Sequence, residues 1–305
     1  MSSSNKPSNT TSAILATPGS LAAANEEFFS NSADALFKDK WVQDMQAQMR
    51  EFLEKNIEWL GITGAPGDED REKKMLDYAC GNGFLTRIYH PHFTKCIGID
   101  IAPGMIEKYN EAAVQLGLAP EQMYGFVGDL SAPSIKDAAD ENNPFSTLPS
   151  DFDFAAIAMS LHHMEDPSAT LIKLSERVRR GGIVLAIDWL ASPSSSSEQS
   201  TDAQGQHTHH HHHHHGHHHG HDNSPGNTDD KASTAGHHAH DHPASHTVSH
   251  AHASFSRAQV EEMFVRAGLE EVDVLVSEWE VAPPEGRVLP NKGATRLFFA
   301  RGRKM

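Results

Sequence analysis

Residues Met75–Asp100 read MLDYACGNGFLTRIYHPHFTKCIGID, and this stretch decides the fold. A short apolar run ends at Asp77. The turn Ala79-Cys80-Gly81-Asn82-Gly83 comes next, then a short helical segment, then a second apolar run, Cys96–Ile99, that ends on Asp100. Strand, glycine loop, helix, strand and acid make a nucleotide-binding half of a doubly wound sheet. Gly81 and Gly83 carry no Cβ and tolerate positive φ, so a ligand can lie directly on the backbone there. Asp100 stands at the carboxyl end of the second strand, where one carboxylate can accept both hydrogen bonds of a ribose diol.

The loop departs from the dinucleotide pattern GxGxxG: it has no third glycine, and the helix after it soon meets His90-Pro91. Asp77-x-x-Cys80-Gly81-x-Gly83 instead resembles motif I of the class I S-adenosylmethionine-dependent methyltransferases. The run Gly98-Ile99-Asp100-Ile101-Ala102-Pro103-Gly104-Met105-Ile106 is similar to the same family. The resemblance implies that the loop, with Ala79, Gly81 and Gly83, cradles the methionine half of S-adenosylmethionine. Asp77 would help to hold its amino group, and Asp100 the ribose. Ile101 and Met105 join them as cofactor contacts. Asp129 and Leu130, after the third strand, would meet the adenine, although Asp129 equally suits a turn cap. Ser160, after the fourth strand, would complete the cofactor set. No metal is required by this chemistry.

Composition narrows the partners. The net charge is -16, and residues 191–252 contribute six acids against one lysine, so the remainder still carries -11. A nucleic-acid substrate calls for a basic surface and is disfavoured. Arg177, Arg179 and Arg180 form a small basic group at a helix end, which reads as a solvated cluster. Two cysteines, Cys80 and Cys96, both in apolar surroundings, point to a reducing compartment with no disulfide framework. No apolar run has the length of a membrane span. Residues 1–24 are rich in Ser, Thr, Asn and Ala, with Lys6 the only charged side chain, and read as a disordered tail. A cytoplasmic protein is expected, and the nucleus is also compatible.

The expected fold is α/β: a Rossmann-like, doubly wound, mostly parallel seven-stranded sheet with an antiparallel last strand and an N-terminal helical lid. The chain divides into five segments: the tail 1–24, a helical lid and linker 25–73, a cofactor-binding core 74–190, a disordered insertion 191–252, and residues 253–305 completing the core. Apolar residues at three- and four-residue spacing from Trp41 to Leu60 predict one amphipathic helix from about Ser32 to Leu60, capped by Asn31 or Ser32 and ended by Gly61. It either packs on the sheet or covers the site, and Asn25–Phe29 suit the same cover. Another helix runs from Pro103 to about Leu116, with Gly117 beyond it. Asp166-Pro167 opens a helix that Gly181-Gly182 is expected to end, with strand five at Ile183–Leu190. Ser256-Arg257-Ala258-Gln259 is a capping box. The strands Glu271–Val281 and Ala294–Arg301 form an antiparallel pair, the ending that the resemblance implies, with the last strand between five and six.

Residues 191–252 hold 19 of the 23 histidines, including the unbroken run His209–His215. The segment has too few apolar residues to offset the entropy of ordering. Incidental binding of divalent metal by imidazole is its expected chemistry. Methyl transfer from a sulfonium is mainly a matter of alignment, and a base helps when the acceptor must lose a proton. Candidates for that base are His162, His163 and, where the insertion rejoins the fold, His250 or His246. The segment around His246–His250 resembles one in fungal small-molecule methyltransferases. Asp188 suits a strand-end hydrogen-bonding partner. Tyr78 and Trp189 suit stacking on a ring or packing in the core. The absence of Asn-Pro-Pro-Tyr or Asp-Pro-Pro-Tyr after strand four argues against base or glutamine amines as acceptors. The resemblance is to the small-molecule type related to ubiquinone- and menaquinone-pathway enzymes. A small neutral or aromatic acceptor is therefore expected. A protein acceptor, or cofactor binding and metal buffering without transfer, stay open.

Overall fold

A computed structural model describes residues 20–63, 71–130, 148, 150–192, 252–282 and 295–305. Seven strands form one sheet: β1 (Lys74–Tyr78), β2 (Lys95–Asp100), β3 (Met123–Val127), β4 (Phe152–Ala158), β5 (Val178–Leu190), β6 (Leu269–Val276) and β7 (Arg296–Lys304). Their order is β3-β2-β1-β4-β5-β7-β6, with β7 antiparallel to both β5 and β6 and the other pairs parallel. The expected insertion of the last strand between five and six is therefore present. The chain reverses its direction of winding between β1 and β4, and the carboxyl ends of these two strands open the crevice where such sheets bind ligands.

Alternate residues of each strand face opposite layers. Met75, Phe154, Ala156, Leu185 and Phe299 pack on one side, under helices α2 (Lys40–Lys55), α4 (Phe84–Tyr89) and α5 (Pro103–Gln115). Leu76, Ile97, Ala155, Ile157 and Phe298 pack on the other, under α6 (Pro167–Arg177) and α7 (Arg257–Arg266). Both faces are covered, which is why the central strands are almost wholly apolar.

One row across the sheet sets the geometry of the first layer. Asp77 pairs with Gly98, and Gly98 with Gly125. The fully buried ring of Tyr109, on α5, lies on this row. A Cβ at Gly98 would stand 2.6 Å from its Cζ, and one at Gly125 2.9 Å from its Cδ1. The ring occupies the space that side chains at these positions would fill. Asn110, next on α5, turns its amide onto the edge strand: Gly125 N–H donates to its Oδ1 at 2.8 Å and its Nδ2 donates to Gly125 O at 3.3 Å. This satisfies backbone groups that an edge leaves open.

The helix expected from Ser32 to Leu60 is three helices. α1 (Leu21–Leu36) begins within the expected tail, capped by Ser20, whose Oγ accepts from Ala23 N–H. Ser32 lies inside α1 and donates its hydroxyl to Phe28 O. Asp39 is extended, and the chain turns there into α2; Asn56 then separates α2 from α3 (Ile57–Leu60), which Gly61 ends at φ 74°. The break at residues 37–39 swings α1 away from the α2 layer and over the glycine loop, with Phe37 Cζ 3.4 Å from where a Gly81 Cβ would stand. A second difference lies at β5, which starts at Val178 rather than Ile183. α6 ends at Arg177, and Gly181-Gly182 lie within β5, at an irregularity between the Phe152 and Phe154 pairings. A Cβ on Gly182 would meet Val178 Cγ1 at 2.5 Å and Asp153 O at 2.8 Å, so close approach, not helix termination, requires that glycine.

Gly98→Ala should destabilise the protein by ~1–3 kcal/mol, because the Tyr109 ring is rigid and boxed in. Thermal unfolding reads this as a drop of several degrees; an unchanged midpoint would show that the ring can yield.

Candidate active site

The turns at the carboxyl ends of the parallel strands build the crevice. After β1, Ala79 and Gly81 take positive φ, 52° and 50°, and Gly83 takes 74°. Ala79 does so with a Cβ, and Met159, just after β4, does the same at 55°. Two strained residues thus flank the crevice at its two central strands, a distribution typical of ligand sites.

Asp100 fastens the loop. Its Oδ2 accepts from Gly81 N–H at 2.9 Å and its Oδ1 from Ala102 N–H at 3.0 Å. The same carboxylate thus braces the glycine turn and the start of α5. Asp77 works from below. Its Oδ2 accepts from Thr86 N–H at 3.2 Å and from Thr86 Oγ1 at 2.7 Å, and Thr86 Oγ1 lies 3.0 Å from Tyr109 Oη. This fixes α4 to β1. Burial pushes the Asp77 carboxyl up to about 7 and the Asp100 carboxyl up to about 6, against their ordinary value near 3.8; hydrogen bonds from Thr86, and from Ala102 and Gly81, pull the other way.

A cavity of about 110 Å³ opens above this framework. Of the residues singled out from sequence, Ala79, Ile101, Asp129, His163 and Tyr78 line it. Tyr78 donates its hydroxyl to Asp129 Oδ1 at 2.9 Å, and burial beside that carboxylate pushes its phenol well above the ordinary range. The far wall is α1, through Ser20, Leu21, Ala22 and Asn25, together with Met164 and Glu165. Gly81, Gly83 and Asp100 belong to the supporting loop and strand end instead. Met105 packs with Ala33 and Ala102 between α1 and α5, and Leu130 is buried in the second layer. Ser160 donates to Ala158 O at 3.1 Å. Trp189 is buried in the first layer and does not face the crevice. Sequence reasoning missed Ser20, Leu21 and Ala22, which it left in the tail, and gave Asn25 no chemistry of its own.

The two histidines differ in surroundings. His162 is buried, with Nδ1 2.7 Å from Asp188 Oδ1 and its backbone N–H donated to Asp188 Oδ2 at 3.2 Å. Asp188 is fully buried and also accepts from Trp189 N–H. His163 lines the cavity, its ring 4.0 Å from that of His162 and edge-on to Phe29 at 5.2 Å. His246 and His250 lie outside the described residues. Among the described residues no group of three or more His, Cys, Asp or Glu is arranged to hold a metal, and no helix is long and apolar enough to cross a membrane.

Asp77 makes the fold pH-dependent in a defined direction. The unfolded chain ionises near 3.8 and the folded protein near 7. Each proton lost above the lower value favours unfolding, so the stability Asp77 contributes when protonated is lost as pH rises through this window. Asp77→Asn removes that titration. Melting points compared from pH 5 to 8 should show wild type losing ground to the variant as pH rises towards 7; parallel curves would contradict the assignment.

A methyltransferase-domain family model matches residues 45–274. A curated relative, an uncharacterised methyltransferase of Schizosaccharomyces pombe, is 31% identical over 114 residues, 37% of this chain; the match spans only 38% of that relative's length. Among solved structures, the magnesium protoporphyrin IX methyltransferase of Synechocystis PCC 6803 with bound S-adenosylmethionine shares the fold, with a TM-score of 0.53, 10% identity, and coverage of 94% of this chain and 98% of that one. A geranyl diphosphate methyltransferase in complex with GPP and sinefungin does so at a TM-score of 0.51 and 14% identity, covering 85% of this chain and 78% of that one. With a domain model matched over most of its length, the chain belongs to the methyltransferase-domain family, and its sheet is wound in the Rossmann-like order of that fold.

Proposed function

We propose that the protein transfers a methyl group from S-adenosylmethionine to a small neutral or aromatic acceptor. One observation carries this reading: the cavity at the crevice is narrow and roofed by α1, with Leu21, Ala22, Ile101 and Met164 in its wall. Such a lining suits a compact, largely apolar molecule. The two solved methyltransferases of like fold are named for small-molecule acceptors, which agrees with it. The net charge of -16 disfavours polyanionic acceptors.

The residues fit the methyl donor. A loop with positive φ at Ala79, Gly81 and Gly83 presents backbone to a ligand. Asp100 keeps lone pairs for a ribose diol after accepting from Gly81 and Ala102. Asp129 and Ile101 line the cavity on the adenine side of this reading. Asp77 supports the amino-group end indirectly, through the loop it holds. When bound, S-adenosylmethionine supplies an electrophilic sulfonium methyl, so the protein's task is alignment and water exclusion. His163, on the cavity wall, is the residue set to take a proton from an acidic acceptor, and Asp188 orients His162 beneath it. No metal enters this reading.

The test is a panel of phenols, quinols, carboxylic acids and short peptides incubated with protein and radiolabelled methyl donor. Label should enter a small molecule; label only in peptides would favour a protein acceptor. Asp100→Asn should weaken S-adenosylhomocysteine binding ten- to a hundredfold, as expected for losing hydrogen bonds to a charged group. Calorimetry showing an unchanged affinity would remove Asp100 from the ribose site.

A further inference from the structure

Two side chains of α1, Asn25 and Ser30, carry a buried polar atom without a hydrogen-bond partner, and Asn25 is the one that lines the cavity. Asn25 is 7% exposed, and its Nδ2 donates to the backbone carbonyl of His163 at 3.1 Å. That oxygen can only accept, which settles which end of the amide is nitrogen. Oδ1 is then a buried acceptor with no hydrogen-bond partner. An unmet buried acceptor is destabilising, and asparagine is a poor residue for a helix interior. Packing of α1 alone would be better served by alanine or leucine.

The surroundings of Oδ1 point to a ligand. Asn25 lines the same cavity as Ala79, Ile101, Asp129 and Glu165. Three acceptors stand in that wall, the Asn25 amide oxygen and the Asp129 and Glu165 carboxylates, beside the Ser20 hydroxyl and the His163 ring. The one phenol among them, Tyr78, directs its proton to Asp129. A wall of this kind selects a molecule that brings N–H or O–H groups. S-adenosylmethionine brings them at its adenine amine, its ribose hydroxyls and its ammonium group.

We propose that Asn25 is a binding residue for S-adenosylmethionine, its Oδ1 accepting a hydrogen bond from an N–H or O–H of that molecule while Nδ2 ties α1 to the turn after β4. Recognition is thus shared between the sheet and the N-terminal helix: α1 reads the ligand as well as covering it. The inference rests on the assignment of this cavity to the methyl donor.

The experiment is calorimetric titration of the full chain with S-adenosylhomocysteine, which carries the same donor groups, for wild type, Asn25→Ala and Asn25→Asp. Alanine should weaken binding about tenfold, the loss of one buried hydrogen bond. Aspartate keeps an acceptor oxygen in the same place and should stay within about threefold of wild type. Equal weakening in both variants would mean that Asn25 acts only through its tie to His163, and no weakening in either would mean that it does not meet the ligand; each result overturns the proposal. A second arm varies the ligand. S-adenosylhomocysteine analogues lacking the adenine amine, a ribose hydroxyl or the α-amino group are titrated into wild type and Asn25→Ala. One of them should lose about tenfold against wild type and nothing further against the variant; additive losses for every analogue would also overturn the proposal. Absence of any wild-type binding would fail the cavity assignment itself, and a bound wild type with indifferent variants fails Asn25 alone.

Discussion

The site depends on a ring laid on glycine. Gly125, Gly98 and Asp77 stand in one row across β3, β2 and β1, and Tyr109 rests on it with its hydroxyl against Thr86. Thr86 in turn donates to Asp77. A Cβ at either glycine would lift the ring, and lifting it would withdraw the hydroxyl from Thr86, which holds the start of α4. Since α4 begins immediately after Gly83, the loop's conformation is inherited from this packing. A buried polar chain of this sort is worthwhile only when its members are met by partners, and the glycine row gives the tyrosine the depth to reach its own.

Above that support, strain and bracing are balanced. Ala79 and Met159 adopt a conformation that costs of order 1–3 kcal/mol each, and both sit beside tightly bonded backbone. Cys80 N–H donates to Ile99 O at 3.1 Å, and Met159 N–H to Ile187 O at 2.8 Å. Asp100 grips Gly81 from the neighbouring strand end. The strained backbone is therefore held by hydrogen bonds to carbonyls of β2 and β5.

Local chemistry made much of this legible in sequence. The glycine turn, the acid closing β2, the Asp166-Pro167 helix start and the Ser256-Gln259 capping box depend on neighbours within a few residues, and the structure has each of them. Features that depend on distant partners were not legible. Nothing beside Gly98 and Gly125 in the sequence shows why glycine is needed there, because the ring that fills their space belongs to Tyr109. Gly181-Gly182 carried a helix-stop signal, yet Gly182 answers to Val178 and Asp153 across a strand irregularity. The break at residues 37–39 left the apolar spacing of α2 undisturbed, so periodicity could not reveal that α1 turns over the loop. Ser20, Leu21 and Ala22 sat in a stretch whose Ser and Ala content suggested no fold, and their meaning comes only from what they face.

The way α1 is attached decides which part of the site can yield. Its packing on α5 is close but small. Ser30 O would lie 2.7 Å from a Cβ at Gly104, and among the described residues the shared apolar cluster has Ala33, Ala102 and Met105 as buried members, with Phe29, Leu36, Phe37 and Ile101 partly buried against it. The ion pair from Lys108 to Asp34 is solvent-exposed on its acidic side and adds little. By contrast, the sheet is covered on both faces by extensive cores. By these contacts α1 is held less extensively than the elements of the sheet. The sheet thus anchors the glycine loop from both faces, whereas α1 meets the rim of the cavity through a small contact with α5.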